Sequence, residues 1–254
     1  ALGITGAAIA TLISQCFGCA MLFWMSHKGQ SIRIQLRNFT PTKAYAKEII
    51  FGGTPSLSRQ GLGSIATLVL NVAAGAYGDA AIAGMSIVTR ISFFTYAVVI
   101  GLGQGFQPLC GFCYGAKLYS RVKDAYYFCI KCGTVFLAAC AVIGFIFSEQ
   151  IIELFRDDPH VVAVGSVALK WQVISFPLIT TIVLTNMLMQ TIRKPIRANI
   201  VAAARSGLFF IPLIFILPHF FGLLGVEMCQ AWADVCSFLV AVPIAWSAFR
   251  DMSR

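Results

Sequence analysis

The sequence predicts an all-α membrane protein with seven transmembrane helices. Three observations carry this: 58% of the 254 residues are hydrophobic, only 11% are charged, and basic residues return after every second apolar segment. A soluble domain has about 25% charged residues and too little interior to hide so many apolar side chains. A bilayer is itself apolar, so a run of about 20 such residues becomes a spanning helix.

The apolar segments run over 3–25, 49–75, 80–113, 125–148, 161–190, 197–219 and 222–249. At about 1.5 Å per residue, each can cross roughly 30 Å of hydrocarbon. The alternating strands of about ten residues that a membrane barrel needs are absent. The first segment, GITGAAIATLISQCFGCAMLFWM, has no initiator Met or basic leader before it and exceeds a signal-peptide core. It reads as an internal helix, and the expectation is a chain belonging to a longer protein. The 26–48 link follows. Thr40 as N-cap and Pro41 at the first helical position predict a helix start running into the second span. A surface-lying turn before Pro41 is the alternative.

Charge bias sets the expected orientation. Lys28, Arg33, Arg37, Lys43 and Lys47 follow the first segment, and Lys117, Arg121 and Lys123 the third. Arg193, Lys194 and Arg197 follow the fifth, and Arg250 and Arg254 the seventh. The intervening links hold one basic residue, Arg156, with Asp79, Asp157 and Asp158. By the positive-inside rule the basic side, including the C-terminus, is expected in the cytoplasm of a multi-pass protein of the cell membrane.

Several function classes drop out. The net charge of +9 is distributed between apolar runs rather than along one face, which argues for topology and against nucleic acid. The nine cysteines lie in or beside apolar runs, where a thiol acts as a small hydrophobe. The Cys16/Cys19 and Cys129/Cys132 pairs lack the His and polar setting of a zinc site, so no metal or cofactor is expected. There is no Walker loop, HExxH or GxSxG, and His27, His160 and His219 are scattered near boundaries. The chain is expected not to be an enzyme, nor driven by ATP.

Charged residues within spans point to function by default. Lys131 and Arg205 lie close enough to helix ends to snorkel. Arg59 and Gln60 lead into Ser64, Thr67 and Asn71, which recur three or four apart and form a polar stripe on the second helix. That stripe is expected to line a cavity or to bond neighbouring helices. On the last helix Glu227, Gln230 and Asp234 share a face. Asp234, the deeper carboxylate, can exchange protons, attract a cation or pair with Arg59, Arg90 or Arg205. Arg90, Lys170 and Gln172 are further candidates for such pairing. In GLGQGFQPLCGFCYGA, residues Gly103, Gln104, Gly105, Gln107 and Pro108 predict a bent or unwound helix of the kind that moves or holds substrate.

That same stretch, at 101–116, resembles a motif of the multidrug and toxin extrusion family. IAGMSIVTRISFF at 82–94 precedes it in similar fashion. EIIFGGTPSLSRQGLGS at 48–64 is similar to the opening of the family's seventh helix, GITGAAIATLISQ at 3–15 to its sixth, and LLGVEMCQAWADVCSFLVAVP at 223–243 to its twelfth. The resemblance covers essentially the whole chain and favours the bacterial multidrug-efflux subgroup. It implies the C-terminal half of a twelve-helix, two-lobe transporter. Residues 1–25 would be the last helix of the N-terminal lobe, 26–48 the cytoplasmic inter-lobe link, and 49–254 the six-helix C-terminal lobe.

It further implies a secondary antiporter that exports small organic, commonly cationic, compounds against protons or sodium. The two lobes would rock between inward- and outward-facing states amid membrane lipids, so the partner of this chain would be the N-terminal lobe of the same protein. Some sodium-coupled members use acidic residues in the seventh and tenth helices. The corresponding stretches here carry none, which shifts the expected coupling to the other lobe. Gln60, Ser64, Thr67, Asn71 and Arg59 would then line the cavity, Asp234 and Glu227 would tune it for cations, and Phe93, Phe94 and Trp171 would stack on flat cargo. Two other readings stay open. A lipid or lipid-linked sugar flippase would use Arg59, Arg90, Lys170 and Arg205 in a broad basic cavity. A non-transporting scaffold or receptor would pack its polar stripes together and leave no cavity.

Overall fold

The computed structural model describes residues 3–28 and 42–252, all of them in helices or short connections. The expected helix start at Thr40 and Pro41 lies outside the described residues. The chain divides into two units, Ala1–Glu48 and Ile49–Arg254. In the first, α1 (Gly3–Lys28) is apolar on every side, with Lys28 Nζ 4.2 Å from the centre of the Trp24 ring near its end.

The remaining helices are α2 (Lys43–Gly75), α3 (Asp79–Gly115), α4 (Tyr119–Ile146), α5 (Ser148–Phe155), α6 (Pro159–Thr191), α7 (Pro195–Ala203), α8 (Phe210–Phe221) and α9 (Leu223–Met252). A π-helical turn at Ala204–Leu208 joins α7 to α8, so that Pro195–Phe221 forms one span in two pieces. The seven predicted segments are all present, most of them longer by a few residues at one end or both, while α4 stops at Ile146, two residues short of its predicted end. Among the described residues, six helices are both long and apolar enough to span a membrane. The exception is α2, which has 33 residues but carries Lys43, Lys47, Glu48 and Arg59 with its polar stripe. The short α5 falls where the sequence reading placed only a link.

The centre of the second unit is α6, packed against α9, α3 and α4. Leu169, Val173, Phe176, Ile179 and Val183 lie buried along it within the largest apolar cluster. Lipid tails are as apolar as these side chains, so the hydrophobic effect contributes little to joining helices in a bilayer. Close van der Waals contact between small residues does that work. At the α3–α6 crossing Gly84 meets Gly165, and a Cβ added to Gly84 would lie 3.1 Å from the Gly165 nitrogen. At the α8–α9 corner a Cβ on Gly225 would stand 2.4 Å from the Leu217 carbonyl. Gly222 closes α8 with a φ of 59°, in the left-handed region that suits glycine.

Local signals set the helix ends. Asp158 caps α6 by accepting from the His160 backbone N–H at 3.0 Å, with Pro159 at the first helical position. Lys117 and Arg193 take positive φ after α3 and α6. There Leu118 N donates to Cys113 O at 2.8 Å and Lys194 N to Met189 O at 2.9 Å, which satisfies terminal carbonyls.

One expectation is corrected. The Gly103–Pro108 stretch neither unwinds nor breaks, and α3 continues through it to Gly115. Gly103 is there for packing: a Cβ on it would lie 2.2 Å from Met187 Sδ on α6. Gln104, Gly105 and Pro108 are exposed, and Gln107 is half-buried. A solvent- or lipid-side proline within a long helix can be accommodated without ending it.

Candidate functional site: a polar cavity with a buried ion pair

A cavity of about 390 Å³ opens among α2, α3, α6, the π turn and α9. Four of the five stripe residues reach it: Arg59, Gln60, Ser64 and Thr67 all line it. Asn71, one turn further on, is exposed and not on its wall. The stripe hydroxyls are satisfied locally, Ser64 Oγ donating to Gln60 O at 3.1 Å and Thr67 Oγ1 to Gly63 O at 3.0 Å. Below the stripe, Ala66 and Leu70 carry α2 into the apolar core. From α3, Thr89, Ser92, Phe93 and Tyr96 complete the opposite wall. Phe93 therefore sits where expected, while Phe94 and Trp171 do not line the cavity.

At one end stands an ion pair. Arg205 Nε donates to Asp234 Oδ1 at 2.7 Å. The Asp234 side chain is 0% exposed and that of Arg205 is 19% exposed. Gln230 Nε2 donates to the same Oδ1 at 3.1 Å, one helical turn back on α9. Gln172 Nε2 donates to Oδ2 at 3.2 Å. Ser175 Oγ lies 2.9 Å from Oδ2 and 2.8 Å from the Gln172 carbonyl, and its single proton serves one of them. The guanidinium carbon of Arg205 also lies 4.8 Å from the centre of the Tyr96 ring, within cation–π range. A buried carboxylate needs this many donors, since desolvation would otherwise neutralise it.

The π turn brings the arginine to this point. Phe209 N donates to Ala204 O at 3.1 Å, five residues back, so the turn accommodates one extra residue. Such bulges recur at functional sites. Here Arg205 and Ser206 within the bulge both line the cavity. Gly207 faces α2, where a Cβ would lie 3.0 Å from Leu62 Cδ1.

The structure thus chooses among the pairings left open for Asp234: its partner is Arg205, not Arg59 or Arg90. Lys170 meets Glu149 of α5 at 3.5 Å instead, and Arg90 is exposed. Lys131 is exposed on α4. Glu227 is buried at 6% exposure, and makes none of the Asp234 contacts and does not line the cavity. Arg59 has no carboxylate partner among the described residues. Sequence reasoning missed Ser175, Tyr96 and the π turn. Gln172 was legible as a pairing candidate, yet its link to Asp234 crosses from α6 to α9.

The MatE family model matches residues 55–216. The chain belongs to that family. Its members are transporters and not enzymes, as the sequence reading expected of this chain. Multidrug export protein MepA of Staphylococcus haemolyticus is 30% identical over 240 residues, covering 94% of this chain and 53% of the relative. MepA of Staphylococcus saprophyticus is 30% identical over 250 residues, covering 96% and 54%. The chain therefore spans about half the length of the curated relatives it matches. Among solved structures, an outward-facing multidrug resistance MATE family transporter of the MOP superfamily superposes with a TM-score of 0.87 at 23% identity. That match covers 99% of this chain and 57% of the other. A MOP superfamily transporter from Pyrococcus furiosus, whose reverse polarity of binding pocket suggests a different function, gives a TM-score of 0.88 at 22% identity. It covers 100% of this chain and 58% of the other. At these identities the likeness is one of fold, and it is the all-α membrane fold that the sequence predicted.

Proposed function

We propose that this chain forms the C-terminal six-helix lobe, preceded by one helix of the N-terminal lobe, of a secondary antiporter that exports organic compounds in exchange for protons or sodium. Residues 1–25, 26–48 and 49–254 take the roles of helix, link and lobe. The observation that carries the reading is the polar cavity of about 390 Å³ inside a bundle whose outer faces are apolar. A polar-lined opening in such a bundle suits a passing solute that needs hydrogen bonds partway across. The family membership and the MepA names, which say multidrug export, support the same activity.

In this reading Arg59, Gln60, Ser64 and Thr67 meet the cargo, and Phe93 and Tyr96 stack on its flat parts. The links after α3 and α6, and the C-terminus, face the cytoplasm. Support for a cationic cargo does not come from the charges of this cavity, since Asp234 is matched by Arg205. Coupling through Asp234 would require that pair to open during the cycle. Arg59 and Arg205 favour the lipid-flippase reading in part, but Lys170 and Arg90 are turned to other surroundings. The cavity weighs against a purely structural scaffold.

The test uses the complete gene product in inverted membrane vesicles carrying a proton or a sodium gradient. Addition of a panel of aromatic dyes is expected to release the coupling ion in a dye-dependent way. Dye movement with neither gradient dissipated, or no movement of any dye by folded protein, would remove the antiporter reading.

A further inference from the structure

We propose that the cavity is an anion-recognising one: its cargo is a water-soluble aromatic compound bearing a carboxylate or sulfonate, and that negative group meets Arg59. The inference rests on the exporter reading and adds the charge of the cargo. Among the described residues, the charged side chains on the cavity wall are Arg59 and Arg205, and no carboxylate lines it. The nearest one, Asp234, has no exposed surface and already accepts from Arg205, Gln230 and Gln172, with Ser175 beside it. It therefore offers nothing to a cation in the cavity.

Arg59 differs. It is half-buried, lines the cavity, and has no acidic partner among the described residues. A guanidinium withdrawn from bulk water repels a second cation and attracts an anion, and its planar fork matches a carboxylate or sulfonate. A second, independent feature agrees. Ser92 Oγ is buried against the same cavity and has no hydrogen-bond partner among the described residues. Its hydroxyl can donate to an anionic oxygen, which would meet a need the fold leaves unmet. Phe93 and Tyr96, on the same face of α3, supply aromatic surface for the body of the cargo.

A lipid phosphate shares this anion chemistry, so the test separates the two sources. The complete gene product is reconstituted in liposomes under proton and sodium gradients. Three probes are followed: carboxyfluorescein as the aromatic carboxylate, ethidium as the cation, and a fluorescent anionic phospholipid whose leaflet exchange is scored. Wild type, Arg59→Gln and Arg59→Lys are compared, each first shown to be monodisperse with an unchanged unfolding midpoint. The expected result is gradient-driven carboxyfluorescein transport, with its half-saturating concentration raised at least tenfold in Arg59→Gln and largely restored in Arg59→Lys. Ethidium transport should be absent, or should rise in Arg59→Gln, where the repelling charge is gone, and not in Arg59→Lys.

Ethidium transport without carboxyfluorescein transport would overturn the anion proposal and leave the exporter reading standing. Equal loss of both dyes in Arg59→Gln would also overturn it, because Arg59 would then act without regard to charge. Movement of the phospholipid alone would overturn it in favour of lipid cargo. Failure of every probe under both gradients would sink the exporter reading itself.

Discussion

Two arginines line one cavity and live in opposite circumstances. Arg205 is tied to Asp234 at 2.7 Å, lies against Tyr96 and sits in a specialised turn of its helix. Arg59, on α2, has no acidic partner among the described residues. The fold has matched one charge with the Asp234 carboxylate and the Tyr96 ring, and left the other to whatever enters. Within a membrane the partners of a charge, more than its depth, separate an architectural role from a recognition role.

Breaking the tied charge should have the largest effect. Asp234→Ala leaves Arg205 desolvated and alone, and is expected to lower stability in detergent by about 3–5 kcal/mol. Thermal unfolding followed by tryptophan fluorescence would measure it. Pairing the change with Arg205→Met removes both charges and should recover more than half of that loss, since no uncompensated buried charge is left. A double variant no better than Asp234→Ala would mean that the Gln172, Ser175 and Gln230 contacts matter more than the charge.

Asp234→Asn should fall between, at about 1–3 kcal/mol, because the new amide N–H must face donors that previously met a carboxylate oxygen. Smaller still is the exposed Lys170–Glu149 pair, at 3.5 Å. Glu149→Gln should change stability by less than about 1 kcal/mol. Arg59→Gln should be close to neutral, within about 0.5 kcal/mol, while altering transport. If it destabilised the protein as much as Asp234→Ala, the contrast between the two arginines would collapse.

The contrast was partly legible in the sequence. Polar residues at three- and four-residue spacing on α2 marked a wall, and the spacing of Gln230 and Asp234 correctly put them on one face. Those are properties of a single helix. The choice of Arg205 over Arg59 or Arg90 depends on how three helices meet, which no local period encodes. The π turn is similarly hidden, because VAAARSGLFF reads as an ordinary helix. Gly103–Pro108 misled for the converse reason. Glycine looks the same in sequence whether it permits a bend or a close contact, and Met187 decides which it is here. Asn71 shares the helix face of Gln60, Ser64 and Thr67, so its place off the wall is set by the surrounding helices and not by its spacing.

The meeting of Gly84 with Gly165 has a mechanical consequence. Helices that touch through backbone cannot slide past one another. A one-turn slip of about 5.4 Å would bring Val88 or Ala80 to a crossing where even a Cβ lies 3.1 Å from a main-chain nitrogen. Between α4 and α6, Gly133 and Gly144 instead receive the side chains of Thr180 and Val173, which interlock the two helices in another way. Around its central helix the bundle is thus stiff against shear. Strain applied to it is transmitted rather than absorbed, as through a lever arm and not a spring.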